Sequence, residues 1–204
     1  MSLIEVRQLS PHTRLGLWRM DEPFDGKPRE RERQAVRLLL NTMMGGAVSD
    51  YAVGHEPSGK PFVSVMTEEG ETALRQWRIS VSHTRGYAAI LLSDKEEVGL
   101  DIERRSERVA GIASRFIRPD EQAVNNDEQL LIWSAKETVY KLFSEDRLQF
   151  FDMRVKIADG ATLLAENLKR RTEVVVGYEF TDDYVLTYTI PAHQDRQPRT
   201  IACD

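Results

Sequence analysis

The sequence predicts an α+β fold of two similar lobes, 1–103 and 104–204, each a helix packed on a small antiparallel sheet. Two observations support this prediction. A helical segment and short strand-like runs occur in the first half, and the same kinds of element recur in the second half. The stretches ISVSHTRGYAAILLS and VVVGYEFTDDYVLTYTI also share a pattern of apolar strand, polar turn and aromatic-led strand, although they differ in identity. The joint between the lobes is expected near residues 102–118.

The elements of the first half follow from periodicity and turn residues. LIEVRQL predicts a short strand, and a helix is predicted from about Arg29 to Met44, ended by Gly45 and Gly46. The segment GHEPSGKPFVSV is rich in turn residues. WRISVSHT, YAAILLSD and EEVGLDIE then predict three strands, arranged as an antiparallel meander.

The second half is predicted to be mostly helical from Pro119 to Glu145, with strands at FDMRVKIA, TEVVVGYEF and DYVLTYTI. One face of this helix is apolar and carries Leu131, Ala135, Val139 and Leu142. Another face carries Trp133, Glu137 and Lys141 four residues apart, which by itself indicates an exposed ion pair. The tail from Pro191 onward is polar and is expected to fray.

Composition narrows the classes of partner and site. No apolar run among the 204 residues approaches the roughly 20 residues that a membrane helix needs, and no secretory leader begins the chain. We therefore expect a cytoplasmic protein with no membrane partner. The net charge of −5 argues against a nucleic acid as the main partner. Cys203 is the only cysteine, so a metal site would have to use oxygen or imidazole ligands.

Two basic clusters stand out against this acidic balance. Residues 27–37 carry five basic and two acidic side chains, and residues 104–118 carry five basic and one acidic. Such a cluster is either a solvated surface or a site for an anionic partner.

The stretch VGLDIE raises a similar pair of alternatives. Read as a strand, it turns Val98, Leu100 and Ile102 to one face and the carboxylates of Asp101 and Glu103 to the other. Those carboxylates either face water or bind a hard metal ion.

Four motifs, in this order, resemble those of the 4′-phosphopantetheinyl transferases of the surfactin-synthetase type. They are SGKP at 58–61, SVSHT at 80–84, VGLDIE at 98–103 and WSAKETVYK at 133–141. The resemblance implies two pseudo-symmetric α+β lobes with coenzyme A in the cleft between them. It further implies a monomeric, Mg²⁺-dependent enzyme that moves the phosphopantetheine arm of coenzyme A to a serine of an acidic acyl or peptidyl carrier protein, releasing adenosine 3′,5′-bisphosphate.

The resemblance also assigns residues to roles. The implied Mg²⁺ ligands are Asp101, Glu103 and Glu137. The implied catalytic residues are Glu137 and Lys141, with either Glu137 or a metal-bound water taking the serine proton. The implied contacts to coenzyme A are Arg33, Lys60, Pro61, Ser82, His83, Asp101 and Lys141, with Arg37 as a rival for Arg33. Among them, His83 and Lys60 are implied to bind the 3′-phosphate. Glu121 is implied to orient the lysine and metal region, and Thr138 stands where alanine or serine is usual.

Two other functions stay open at this point. One is a catalytically idle module that binds coenzyme A or a carrier protein. The other is a Mg²⁺-dependent phosphodiesterase acting on nucleotides, which would need more acidic or histidine ligands than the sequence offers.

Overall fold

The structure, a computed structural model, describes residues 1–47, 50–158 and 160–191. Its regular elements within those residues are β1 (Ser2–Ser10), β2 (Thr13–Arg19), α1 (Pro28–Met44), β3 (Tyr51–His55), β4 (Pro61–Thr67), β5 (Gly70–Ala73), β6 (Arg78–Thr84), β7 (Tyr87–Ser93), β8 (Leu100–Arg104), α2 (Asn126–Leu142), β9 (Met153–Ile157), β10 (Thr162–Asn167), β11 (Thr172–Phe180) and β12 (Tyr184–Thr189). Short 3-10 segments lie at Glu107–Arg115, Ser144–Asp146 and Phe150–Asp152. The predicted α+β class is confirmed.

The strands pair antiparallel throughout the described chain and form three sheets. The first sheet has the order β1-β2-β7-β6, the second β3-β4-β5, and the third β8-β12-β11-β10-β9. Tight turns such as the one at Gly86, where φ is +90°, join neighbouring strands, and glycine adopts that backbone without a steric cost.

Strand β7 is buried on both faces and separates two apolar cores. Its alternate residues Ala88, Ile90 and Leu92 pack in the core that contains α1. Ala89 and Leu91 point the other way, into a core shared with β8 and β12. The first sheet is therefore covered by α1 on one face and by the third sheet on the other.

Helix α2 packs on the third sheet through the apolar face that the sequence predicted. Leu131, Ala135 and Val139 are buried against residues such as Val155 and Val185. The helix begins at Asn126 and not at Pro119, because the side chain of Asn125 accepts a hydrogen bond from the Glu128 N–H and caps the first turn.

The predicted meander is wrong in its third strand. Strands β6 and β7 form the expected hairpin, but β8 pairs with β12, and Asp101 lies opposite Thr187 in that register. Periodicity identifies a strand but not its partner, and in the structure β8 is the edge strand of the third sheet, next to β12. The predicted boundary between residues 103 and 104 falls inside β8 and stays a prediction.

Hydroxyl side chains join β6 to β8. Ser80 Oγ accepts a hydrogen bond from the Leu100 N–H at 3.0 Å, and Thr84 Oγ1 accepts one from the Arg104 N–H at 3.1 Å. Strand β8 pairs with β12 along one edge. The two hydroxyls satisfy backbone donors along the edge that faces β6.

Sequence reasoning missed several short strands. It did not predict β2, β5 or β10, and it treated the hairpin of β3 and β4 as a turn-rich segment. The predicted fraying of the tail concerns residues 192–204, which lie outside the described residues. Among the helices of the described chain, none has both the length and the apolar character that crossing a membrane requires.

Candidate functional site

Asp101 is a buried carboxylate whose two oxygens accept hydrogen bonds from three side chains on two elements. On β6, Ser82 Oγ donates to Oδ1 at 2.9 Å. From α2, Lys141 Nζ also donates to Oδ1, at 2.8 Å, and Ser134 Oγ donates to Oδ2 at 2.9 Å. Asp101 is 4% exposed, and a carboxylate at that depth must be paired and hydrogen-bonded. The strand motif and the helix motif therefore meet at this residue.

The spacing on α2 explains how one helix contributes so many groups. Ser134, Glu137 and Lys141 lie three and four residues apart and so share one side of the helix. The sequence predicted that Glu137 and Lys141 are neighbours, and the structure turns both toward β8.

The fold changes the chemistry of Glu137 strongly. Burial, together with the negative charges of Asp101 and Glu103, raises the pKa of Glu137 to about 7, although Lys141 opposes the shift. Both the protonated and the ionised form are therefore populated near neutral pH, which suits a group that takes and releases a proton.

Glu103 is oriented by an aromatic cluster. Its Oε1 accepts a hydrogen bond from Trp133 Nε1 at 2.9 Å. The Trp133 ring lies edge-on to Phe116, with centroids 5.1 Å apart, and 4.9 Å from the centroid of Phe150. Burial raises the pKa of Glu103, and the nearby charge of Asp101 adds to the effect. The role of Trp133 as a donor to Glu103 was not evident from the sequence.

The three predicted metal ligands lie in one neighbourhood, although not as an assembled cage. Within residues 1–47, 50–158 and 160–191, no three His, Cys, Asp or Glu side chains are arranged to hold a metal ion. Burial is the largest cause of the raised pKa of Glu137, and repulsion from the charges of Asp101 and Glu103 adds to it. A divalent cation would relieve that repulsion, and carboxylate oxygens are the ligands that Mg²⁺ prefers, so the residues fit the ion in charge and chemistry.

A cavity of about 650 Å³ lies between α1 and β6. Arg29, Arg33 and Arg37 line it from one face of α1, because they are spaced four residues apart. His83 lines it from β6, with Nδ1 3.6 Å from Glu32 Oε2. The structure therefore brings together the predicted residues Arg33 and His83, and the rival Arg37 lines the same cavity.

Strand β6 connects this cavity to the carboxylates. Val81 and His83 face the cavity, whereas Ser82 between them faces Asp101. This is the alternation of a strand, whose successive side chains point to opposite faces. Ser82 was predicted to bind coenzyme A, and in the structure its hydroxyl donates to Asp101.

Lys60 and Pro61 line a different cavity, of about 270 Å³. The Lys60 ammonium lies 3.1 Å from Glu97 Oε2 and 3.8 Å from Glu145 Oε1. The structure thus does not bring Lys60 to the cavity that contains His83, and the shared phosphate role predicted for the two residues stays a prediction.

Lys136 and Glu121 form a fully buried ion pair, both side chains being 0% exposed. Lys136 Nζ donates to Glu121 Oε2 at 2.7 Å, to the Phe116 carbonyl at 2.6 Å and to the Phe150 carbonyl at 3.2 Å. Glu121 Oε1 accepts the Val155 N–H at 2.7 Å. Burial lowers the pKa of Lys136, and the pair with Glu121 opposes that change. Glu121 therefore fixes Lys136 and, with it, one turn of α2 next to the site.

Gly99 and Thr187 are two further site residues that sequence reasoning missed. A Cβ on Gly99 would lie 2.2 Å from the Thr138 carbonyl oxygen, so the glycine lets the start of β8 approach α2. The glycine within VGLDIE was a readable signal for such a close contact. Thr187 carried no signal, because its proximity to Ser134 arises only when β12 pairs with β8.

Comparisons with known proteins bear on the second half of the chain. A family model described as the 4′-phosphopantetheinyl transferase superfamily matches residues 97–189, a little under half of the chain. No curated protein matches the chain. The matched segment contains Asp101, Glu103, Glu137 and Lys141, whereas Arg33 and His83 precede it.

Proposed function

From the match of residues 97–189 to the 4′-phosphopantetheinyl transferase superfamily, we propose that this protein transfers the phosphopantetheine arm from coenzyme A to a carrier-protein serine. The serine oxygen attacks the β-phosphorus of coenzyme A, the bond to the bridging oxygen breaks, and adenosine 3′,5′-bisphosphate leaves. The meeting of Asp101, Glu137 and Lys141 between β8 and α2 carries this proposal. The motifs preceding the matched segment support the surfactin-synthetase type.

Glu137 is suited to take the proton of the serine. Since its pKa is about 7, a substantial fraction is ionised at neutral pH, and the protonated form is still only weakly acidic. Because Glu137 lies on the same face of α2 as Lys141, base and cation would lie on one side of the reacting phosphate.

Lys141 is suited to the charge that develops on the leaving group. Its ammonium lies at the border of the site, 26% exposed, and is aimed at Asp101 Oδ1. A cation that meets charge formed in the reaction lowers the barrier and so raises kcat.

Asp101, Glu103 and Glu137 would hold Mg²⁺. When bound, the ion would neutralise negative charge on the diphosphate oxygens. Ser82 and Ser134 orient Asp101, and Trp133 orients Glu103, so two of the three carboxylates are held by hydrogen bonds from neutral donors.

The cavity between α1 and β6 suits the adenosine bisphosphate part of coenzyme A. Its volume is within the range of small-molecule sites, and the α1 arginines offer bidentate donors for phosphate. Since β6 borders both the cavity and Asp101, the two ends of one bent ligand would be contacted by residues of the same strand.

The basic cluster at 104–118 suits an acidic carrier protein. Arg104, Arg108 and Arg115 are exposed, and Arg108 is close enough to lower the pKa of Glu103 slightly. Positive charge beside the site would steer an acidic partner and raise its association rate in a salt-dependent manner. We propose that the chain acts as a monomer, which sedimentation would test.

The direct experiment incubates an apo carrier protein with coenzyme A, Mg²⁺ and this protein, and follows the carrier by mass spectrometry. We expect the mass of one phosphopantetheine to be added at serine. Lys141→Ala should lower kcat at least tenfold, whereas Glu145→Gln, with an exposed carboxylate, should match the wild type. Binding of coenzyme A without transfer would instead indicate an idle module, and nucleotide breakdown without carrier would indicate a phosphodiesterase.

A further inference from the structure

A chain of buried hydroxyls leads away from Asp101. Ser134 Oγ lies 2.9 Å from Asp101 Oδ2 and 2.9 Å from Thr187 Oγ1. Thr187 Oγ1 lies 2.7 Å from Thr138 Oγ1. All three hydroxyl residues are 0% exposed, so their hydrogen bonds are made within the protein.

Donor counting gives the chain one direction. Asp101 forms an ion pair with Lys141, so its oxygens accept hydrogen bonds and do not donate. Ser134 has a single proton, which therefore goes to Asp101, and Ser134 must accept from Thr187. The only hydroxyl proton of Thr187 is therefore donated to Ser134.

The same count extends to Thr138. Since the proton of Thr187 goes to Ser134, Thr187 can only accept from Thr138, at the shortest distance in the chain. Thr138 Oγ1 also lies 3.2 Å from the Thr187 carbonyl oxygen, a longer contact that shares the same single proton, so both acceptors hold the Thr138 hydroxyl toward Thr187. The polarity of the chain is thus set by the charge at its end.

We propose that Thr138, Thr187 and Ser134 form a one-directional hydrogen-bond chain that fixes the Asp101 carboxylate, which makes Thr138 and Thr187 positioning residues of the site. The hydrogen-bond chain spans α2 and β12, which both pack against β8, so it also sets the Asp101 orientation relative to Glu137. The effect of these residues on metal binding and transfer rests on the proposed function. The existence of the hydrogen-bond chain does not.

Strand β12 contains a closely matched control residue for Thr187. Thr189 is also a buried threonine on β12, two residues beyond Thr187, and its hydroxyl accepts the Gly99 N–H at 3.1 Å. Thr187→Val and Thr189→Val each remove one buried hydroxyl from the same strand, but only the first interrupts the chain. A merely structural role would affect both variants alike.

The first test is a double-mutant cycle in urea unfolding, with chelator present and no substrate. We expect Thr187→Val and Asp101→Asn to be coupled by about threefold or more in the unfolding equilibrium constant, and Thr189→Val and Asp101→Asn by less than about twofold. Thr138→Val, one bond further from the carboxylate, should show a smaller coupling and serves if Thr187→Val does not fold. Equal couplings for positions 187 and 189 would overturn the proposal.

The second test measures Mg²⁺ affinity by calorimetry and the kinetics of transfer. Thr187→Val should weaken Mg²⁺ binding by about tenfold, Thr187→Ser should restore it, and Thr189→Val should leave it unchanged. Unchanged Mg²⁺ affinity in Thr187→Val would overturn the positioning role. If the wild type neither binds Mg²⁺ nor transfers, the proposed function fails and, with it, the positioning role, whereas the cycle still decides whether the chain exists.

Discussion

Replacing Glu137 with glutamine should stabilise the metal-free protein above neutral pH. Folding raises the pKa of Glu137 from 4.5 to about 7, through burial and then through repulsion from Asp101. Between those two values the folded state binds more protons than the unfolded state, so the free energy of unfolding falls as the pH rises. A glutamine cannot ionise, and the variant therefore avoids this loss.

The pKa difference sets the size of the effect. The interval from 4.5 to about 7, at about 1.4 kcal/mol per pH unit, gives an upper limit of about 3.5 kcal/mol. Glu137 is only partly buried, and solvent screening reduces the expected gain to about 1–2 kcal/mol.

Urea unfolding at pH 5 and pH 8.5, with chelator, measures this difference. The wild type and Glu137→Gln should have nearly equal free energies of unfolding at pH 5, and the variant should be the more stable at pH 8.5. Glu145→Gln, which alters a carboxylate that is 76% exposed, should follow the wild type at both values. With added Mg²⁺ at pH 8.5, the wild type should become more stable than Glu137→Gln, because the ion stabilises the wild type preferentially. Equal stabilities of wild type and Glu137→Gln at pH 8.5 in chelator would refute the reasoning.

Three further predictions follow from the site and its surroundings. His83→Ala should raise the KM for coenzyme A by about tenfold or more and leave kcat nearly unchanged, whereas with dephospho-coenzyme A it should behave as the wild type. Steady-state kinetics with both substrates checks this, and equal impairment with both would contradict a contact to the 3′-phosphate. Lys136→Met should lower the free energy of unfolding by about 3–5 kcal/mol, since it leaves Glu121 buried without its partner; urea unfolding should show a smaller loss when Glu121→Gln is combined with it. Gly99→Ala should destabilise the protein by about 2 kcal/mol or more and lower transfer, because the added Cβ would collide with the Thr138 carbonyl oxygen. If thermal unfolding of the variant matched that of the wild type, α2 would be able to move away from the added methyl group.

The long elements were predictable because their signals are local. Helix α1 has a proline at its first position and ends at Gly45 with φ of +69°, both of which the sequence displays. The apolar face of α2 was equally readable from its spacing. The strands β2 and β10 were not, because each is an interior strand whose burial depends on the neighbours that pair with it on both sides.

The residues of the candidate site also differ in whether local sequence signals could identify them. Asp101 and Glu137 could be assigned from motifs, since each motif carries its carboxylate at a fixed spacing. Thr187 could not, because its role depends on the register between β12 and β8. The separation of Lys60 from His83 was also beyond the motifs, which contain no information on the distance between cavities.

The hydroxyls of Ser80 and Thr84 that join β6 to β8 have a consequence for protein engineering. A backbone ladder cannot be removed by substitution, but each of these two bonds disappears when one side chain is replaced. Changing Ser80 or Thr84 would therefore loosen the attachment of the first sheet to the third while every backbone pair within both sheets stays intact. For Leu100, whose N–H is buried, the loss of Ser80 would also leave a backbone donor unsatisfied inside the protein, so that position should tolerate the change less well than Thr84.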